Sequence, residues 1–292
     1  MAISAATKTS DLSDFLLPEI AQPIFDEAIR QSVVMRLARQ IPLGLSGQTI
    51  PVVTSEPTAY WTAEGTAKGA TELGLGKKSI TPKKLAAIAV MSSEVYRANP
   101  ASFVDTLNAQ LAGAFAKAFD AAAIHGTSSP FDDAIVDTAN SVTLGTATTV
   151  YEDIVGGLGL VAADGYGLNG FAFDRVAEAE LLLAVDSSNR PMIQPSAAEG
   201  LYGTLVGRPL TIAQGVGSAT IAGFGGDWSK AAWGVINNGI SYKVSTEGSV
   251  TIDGSLVSLF ENNLVAVLAE AEYGFVMADT DAFVKYAYEV VS

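Results

Sequence analysis

The chain contains no cysteine and a single histidine, His125. Without cysteine there are no disulfides, no thiol nucleophile and no thiolate metal site. Charged residues make up only 16% of the 292 residues. A lone subunit of this size would struggle to cover its surface with so little charge, so extensive subunit interfaces are expected. No stretch approaches the ~20 consecutive apolar residues of a membrane span. No basic segment followed by an apolar run opens the chain, so no signal peptide is expected and the protein is expected to be made in a cytoplasm.

The catalytic inventory is equally thin. No G-x-S-x-G elbow occurs. His125, at a helix end before Gly126, reads as a capping or packing residue because no nucleophile accompanies it. The segment Gly74 to Ser79, GLGKKS, superficially suggests a phosphate loop. Thr71 stands where the first glycine is required, Lys78 follows Lys77 in place of Ser or Thr, and Thr81-Pro82 replaces the helix. A basic finger tip is the better reading. Gly215, Gly217, Gly223, Gly225 and Gly226 miss G-x-G-x-x-G at Thr220 and read as turns. Asp279 and Asp281 read as solvated surface residues with no oxygen cage around them. No catalytic residue, cofactor or metal site is assigned, and the chain is expected not to be an enzyme.

What is present is apolar and acidic. Apolar residues reach 49%, with mean hydropathy +0.30. Lys and Arg total 17 against 31 Asp and Glu, a formal charge of −14. Such a chain lacks the basic face of a sequence-specific nucleic-acid binder. It remains compatible with enclosing nucleic acid that an acidic wall repels, or with charge that simply aids solubility.

The most informative stretch runs from Pro57 to Asn99. It opens on Tyr60 and Trp61, continues polar and glycine-rich through Gly65, Gly69, Gly74 and Gly76, and ends in the apolar run Leu85 to Met91. An arm with so little to bury is best explained by a neighbouring copy on which it lies. Lys68, Lys77, Lys78, Lys83 and Lys84 place five of the 17 basic residues within 17 positions. They fit a basic finger guided onto an acidic neighbour, and equally an edge whose lysines discourage mispairing.

Around this arm the pattern is α+β. Residues 1–18 read as a flexible arm. A helix opens at Gln22-Pro23, with Phe25, Ile29, Val33 and Leu37 on one face, and ends near Arg39. Thr49 to Thr54 is a strand, with Leu85 to Met91 expected to return beside it. Ser102 and Asp105 have capping-box spacing. Phe103, Leu107, Leu111, Phe115 and Phe119 then mark a long helix over 102–124. Asp153 to Ala163 reads as a helix despite its glycines, and Phe171 to Phe173 as a strand. Asp174 caps a helix through Val185, before a loop over 187–200. Short strands follow near 208–213, 219–224, 231–236 and 240–245. In 255–278 helical and extended readings both fit, with a long strand favoured for its β-branched later part, and Ala282 to Tyr286 is a final strand.

These segments, in this order, resemble the major capsid proteins of tailed bacteriophages with the Hong Kong 97 type fold. The resemblance rests on TAYWTAEG, on AIHGTSSPFDDAI at the end of the long helix, on LYGTLVGRPLTIA followed by ATIAGFGGDWSKAAWGV, and on LFENNLVAVLAEAEYGFVMADTDAFVKY. It implies an N-terminal arm over 1–21, a helix and connection over 22–48, and an extension loop over 49–91. A peripheral domain with the spine helix would cover 92–149 and return over 246–278. An axial α/β domain would take 150–245 and the last strand in 279–292. It implies hexamers and pentamers that tile an icosahedral shell around double-stranded DNA without sequence-specific binding. Separate scaffolding, portal and decoration proteins are the implied partners. No scaffolding segment is expected within this chain, since only about 18 residues precede the first helix. The expected location is the virion capsid, assembled in the bacterial host cytoplasm, with no membrane contact. An encapsulin-like nanocompartment shell around cargo protein is the alternative.

By the same resemblance Tyr60, Trp61, Lys68, Lys77 and Lys78 would contact neighbouring subunits. Some relatives join an extension-loop lysine to an asparagine, with a glutamate nearby as base. Asn263 and Glu270 stand at the corresponding positions. We read both as polar structural positions, because a side-chain match alone does not make chemistry.

Overall fold

The computed structural model describes residues 13–288 apart from 56, 99–102, 147–148, 184–192, 196–202 and 237–238. Ser102 of the capping pattern and most of the 187–200 loop therefore lie outside the described residues, as do residues 1–12 of the expected arm.

Two sheets share a continuous apolar interior. The first is built on β15, Leu264–Met277, a 14-residue strand. Along one side it pairs antiparallel with β4, Lys83–Ser92. Along its other neighbours it pairs with β11, Ala231–Val235, and β12, Ser241–Ser245. The two-residue β1, Arg39–Gln40, adds to β11 in parallel. One face of β15 carries Val267, Ala269, Ala271, Tyr273, Phe275 and Met277, all buried. Against them lies the spine helix α4, Phe103–His125, through Leu111, Phe115 and Phe119. Phe119 meets Trp233, Tyr273 and Phe275 with ring centroids 5.3–6.3 Å apart. Offset aromatic contacts of this kind add about 0.5–1.5 kcal/mol each beyond the area they bury.

The strand reading of 264–277 is the observed one. The expectation that Leu85–Met91 returns beside the Thr49 strand is not. β2, Gln48–Ser55, pairs with β3, Gly74–Ile80, while the apolar run of β4 goes to β15. Burial decides it, since Leu85, Ala87, Ala89 and Met91 alternate onto the α4 core, where β15 offers matching apolar neighbours.

The N-terminal helix also departs from expectation. α1 spans Ser13–Gln31, beginning inside the segment read as an arm. The chain then breaks at Ser32 and resumes as α2, Val33–Leu37. Asp120 of α4 causes the break. Its carboxylate accepts from Ser32 Oγ at 2.6 Å, Val33 N at 2.9 Å and Val34 N at 3.2 Å, capping α2 from another helix. Burial pushes its carboxyl up to about 6, against the pull of these hydrogen bonds and of Arg36. Arg36 in turn donates to Thr211 Oγ1 at 3.0 Å.

The second sheet runs β5-β16-β10-β6-β9-β8-β7. Its strands are Ser141–Thr143 (β5), Gly170–Asp174 (β6), Ile193–Pro195 (β7), Gly203–Leu205 (β8), Arg208–Ala213 (β9), Ile221–Gly226 (β10) and Phe283–Ala287 (β16). Helix α5, Val150–Ala163, packs over β16, and the short α6, Glu178–Leu183, follows a 3₁₀ turn capped by Asp174. Gly157 of α5 lies directly against Tyr286, whose hydroxyl donates to Ile154 O at 3.1 Å. A side chain there would overlap the phenol ring, which is why this helix tolerates glycine.

Two assignments shift. The resemblance places the strands near 231–236 and 240–245 in the 150–245 axial domain, but β11 and β12 pair with β15 in the first sheet. Gly223, Gly225 and Gly226 are not turns. They lie in β10, where the Phe171, Phe173 and Phe283 rings occupy the space of their missing side chains. The remaining elements are the helix α3, Ser93–Ala98, and the hairpin of β13, Ser249–Ile252, with β14, Ser255–Ser258.

Replacing Asp120 by Ala strands the N–H groups of Val33 and Val34, and we expect unfolding free energy to fall by about 2–3 kcal/mol in urea titrations. Because the folded carboxyl sits near 6, above its unfolded value of 3.8, its contribution is greatest in acid and is lost as pH rises from about 4 to 6. Asp120→Asn should remove that part of the pH dependence, measured by denaturation at pH 4.5 and 7.

Candidate assembly interface

The site is a projecting finger and the surfaces near it. β2 and β3 form a two-stranded ribbon that joins no other strand among the described residues. Residues 57–73 bridge its outer end, with no helix or strand and every residue exposed. Loops of that length without structure of their own are uncommon in compact domains and are usually functional.

The ribbon is pinned at its base. Ile80 is wholly buried with Leu43, Ala232, Ile236 and Val276. It fits because Gly274 of β15 lacks a side chain, where a Cβ would stand 2.6 Å from Ile80 Cγ1. Lys78 adds an ion pair to Asp133, beyond the end of α4, at 2.5 Å. A partly exposed pair of this kind contributes little by itself, so the apolar plug is the main attachment.

The expected contact residues fall into two groups. Tyr60, Trp61 and Lys68 stand on the exposed bridge, and Lys77 projects from β3 into solvent. Tyr60 is 63% exposed beside Gly69, and Trp61 is 105% exposed. Lys78, by contrast, is tied to its own chain. Gly74 to Ser79 is the returning strand of the finger and not its tip. Of the other lysines, Lys84 reaches Glu270 Oε1 at 3.4 Å across the β4–β15 pair.

Asn263 and Glu270 are not neighbours. Asn263 precedes β15 with φ +51° and its carbonyl accepts from Ser93 N at 2.9 Å. Seven strand positions separate it from Glu270, about 23 Å. Any site using both must therefore draw them from different copies.

The residues weighed for chemistry have structural work. His125 Nε2 lies 3.1 Å from Gly215 O, and its ring meets Phe224 edge-on at 6.1 Å. Asp279 is not simply solvated. It accepts from the Tyr166 hydroxyl at 2.6 Å, and this hydrogen bond, with burial and nearby carboxylates, pushes the phenol up to about 12. Among the described residues no group of three or more His, Cys, Asp or Glu is placed to hold a metal ion. None of their helices is long and apolar enough to cross a membrane.

Sequence reading missed the plug, since Ile80 is one β-branched residue among polar ones and its pocket comes from Leu43 and from positions 232–276. The exposed apolar residues of the 256–260 segment, Leu256 at 76% and Phe260 at 77%, were missed for the same reason. They look like core in sequence.

A finger that buries only its root fits a subunit completed by its neighbours, and comparison with known proteins agrees. The Phage capsid family matches residues 13–288. The chain belongs to this family. It is 37% identical over 293 residues to the probable major capsid protein gp17 of Mycobacterium phage D29, covering 96% of this chain and 92% of that protein. The probable major capsid protein gp17 of Mycobacterium phage L5 is 38% identical, over 96% of this chain and 91% of its own length. A solved chain from Gordonia phage Cozz superposes with TM-score 0.72 at 27% identity, covering 89% of this chain and 87% of that one. The fold is thus the Hong Kong 97 type read from sequence, and the nanocompartment alternative is not favoured.

Because the finger hangs on one apolar side chain, Ile80→Ala should loosen its root while leaving the body folded. We expect faster amide exchange across 48–55 and 74–80 with unchanged exchange in β15, measured by hydrogen–deuterium mass spectrometry.

Proposed function

We propose that this chain is the major capsid protein of a tailed phage, a structural subunit and not an enzyme. Copies assemble into hexamers and pentamers that tile an icosahedral shell around double-stranded DNA. The observation that carries the reading is the family match over nearly the whole chain, joined to a finger that buries its root and leaves the whole of its 57–73 bridge exposed. The charge balance fits the contents. A subunit of net charge −14 repels packaged DNA and needs no sequence-specific contact. Tyr60, Trp61, Lys68 and Lys77 are the finger residues we assign to contact between copies, whereas Lys78 is paired to Asp133 of its own chain and Ile80 holds the root. Scaffolding, portal and decoration proteins are proposed as separate partners, with assembly in the host cytoplasm.

Negative-stain microscopy of the purified protein, with nuclease-protected DNA assayed in phage-derived particles, tests this. Closed shells or rings of five and six are expected, with protected DNA in the particles. A uniform monomer or small oligomer under all assembly conditions would overturn the reading.

We also propose that Asn263 and Glu270 are structural positions, and that Glu270 serves its Lys84 pairing. Shells boiled in denaturant should run as one band near the 30.2 kDa monomer. A ladder of multiples would instead establish covalent crosslinking.

A further inference from the structure

The β13–β14 hairpin stands apart from both sheets, because among the described residues its strands pair only with each other. It follows β12 and leads into β15, so both its ends are tied to the first sheet. Val250 and Ile252 share one side of β13, and Val257 of β14, paired with Val250, stands on the same side. All three are half-buried. Across a groove of about 570 Å³, Val250 and Ile252 face Ile88 and Val90 of β4 and Leu264 of β15. Ile88 is 54% exposed there. Ile88 and Val90 alternate with residues that face α4, so the groove floor is the sheet face away from the spine helix. Two apolar faces of one chain thus stand opposite each other without meeting, and closing the gap takes both out of water.

The hairpin is built to pivot. Leu259, buried at its root, is the pin, and its N–H donates to Gly248 O at 2.9 Å. The joints on either side of the hairpin have positive φ, +113° at Gly248 and +51° at Asn263. Gly248 has open space around it. Charge does not oppose closure. The hairpin carries one charged residue, Asp253. On the facing side of the sheet Lys84 and Lys243 stand against Glu270 and Glu272, with Lys243 in one row with Leu268 and Ile88. Leaving the floor open carries a hazard. Among the described residues β4 pairs with β15 alone, and a ten-residue edge strand beside an open apolar strip invites copies to associate out of register.

We infer that the β13–β14 hairpin is a self-covering flap. In the free subunit it shuts onto Ile88, Val90 and Leu264 and holds that strip back from other copies, and it swings off when the subunit joins a shell. This rests on the capsid reading and adds a regulatory step to it. Only subunits with the flap open are competent to assemble, so the closed population raises the concentration at which shells form. Weakening the flap therefore favours assembly, whereas losing a contact between copies opposes it.

That opposite sign is the test. Val250→Ser with Ile252→Ser removes the apolar face of the flap and leaves its floor intact. This variant should form shells at a concentration lower by about threefold or more, followed by light scattering. In dilute free subunit, Ile88 of the wild type should take less hydroxyl-radical label than Ile88 of the serine variant, read by mass spectrometry. In this cysteine-free chain, Val90→Cys with Ile252→Cys should oxidise in glutathione disulfide to an intramolecular bond, seen as a faster-running monomer on a non-reducing gel. The locked subunit should form no shells until dithiothreitol releases it. An unchanged or raised assembly concentration for the serine variant, equal labelling of Ile88, or a locked subunit that assembles like the reduced one overturns the flap and leaves the capsid reading standing. Failure of the wild-type protein to form shells under the microscope overturns the capsid reading itself.

Discussion

The structure depends on the packing of β15 against the spine helix. β15 is paired along most of its length, to β4 and to β11 and β12. Its core face meets α4 through interlocking aromatic rings. That one layer fixes where the other parts go. It sets β4 and with it the chain's return from the finger. It supplies Gly274, the gap in which Ile80 lodges. Through Asp120, the residue that follows Phe119 on α4, it also positions the break between α1 and α2.

Close contacts at small residues recur wherever two parts must meet tightly. Gly157 admits Tyr286, Gly274 admits Ile80, and the glycines of β10 lie under phenylalanine rings. In each case backbone and ring approach more closely than a Cβ permits, so a large apolar group is buried without widening the layers. This is the practical meaning of a chain rich in both glycine and apolar residues. The interior is dense, and the low charge is left to a surface that a neighbour is to cover.

The finger follows the opposite logic. Among the described side chains, its ribbon and bridge bury Ile80 at the root, with Ile50 half-buried beside it, and expose the aromatic pair at the end. On the contact proposed for those rings, free energy withheld in the subunit becomes available on assembly as they leave water. A lattice protein needs that division, because a finger satisfied within its own chain would have nothing to give a neighbour.

Local pattern was enough to place many elements. The 3.6-residue stripe ending in Phe115 and Phe119 marked the spine helix within a residue or two, and short aromatic or β-branched runs marked β6, β9 and β16. The order of motifs from TAYWTAEG to the C-terminal segment was enough for the fold and for the family, since both are carried by residues contiguous in the chain. The exposed pair Tyr60 and Trp61 was legible for the same reason, being aromatic in a stretch with no apolar period. Pairing partners were not legible. Whether β2 joins β3 or β4, and whether β11 belongs with 150–226 or with β15, depends on which apolar faces meet across 172–190 positions for β4 with β15 and 38–46 for β11 with β15. The break at Ser32 was hidden because its cause, Asp120, is 88 positions away. The sequence by itself determined that this subunit has a core, a spine and an arm with nothing to bury. Only the tertiary structure decided which strand anchors that arm and where an open groove lies, because burial is settled between distant segments and periodicity reports only on near ones.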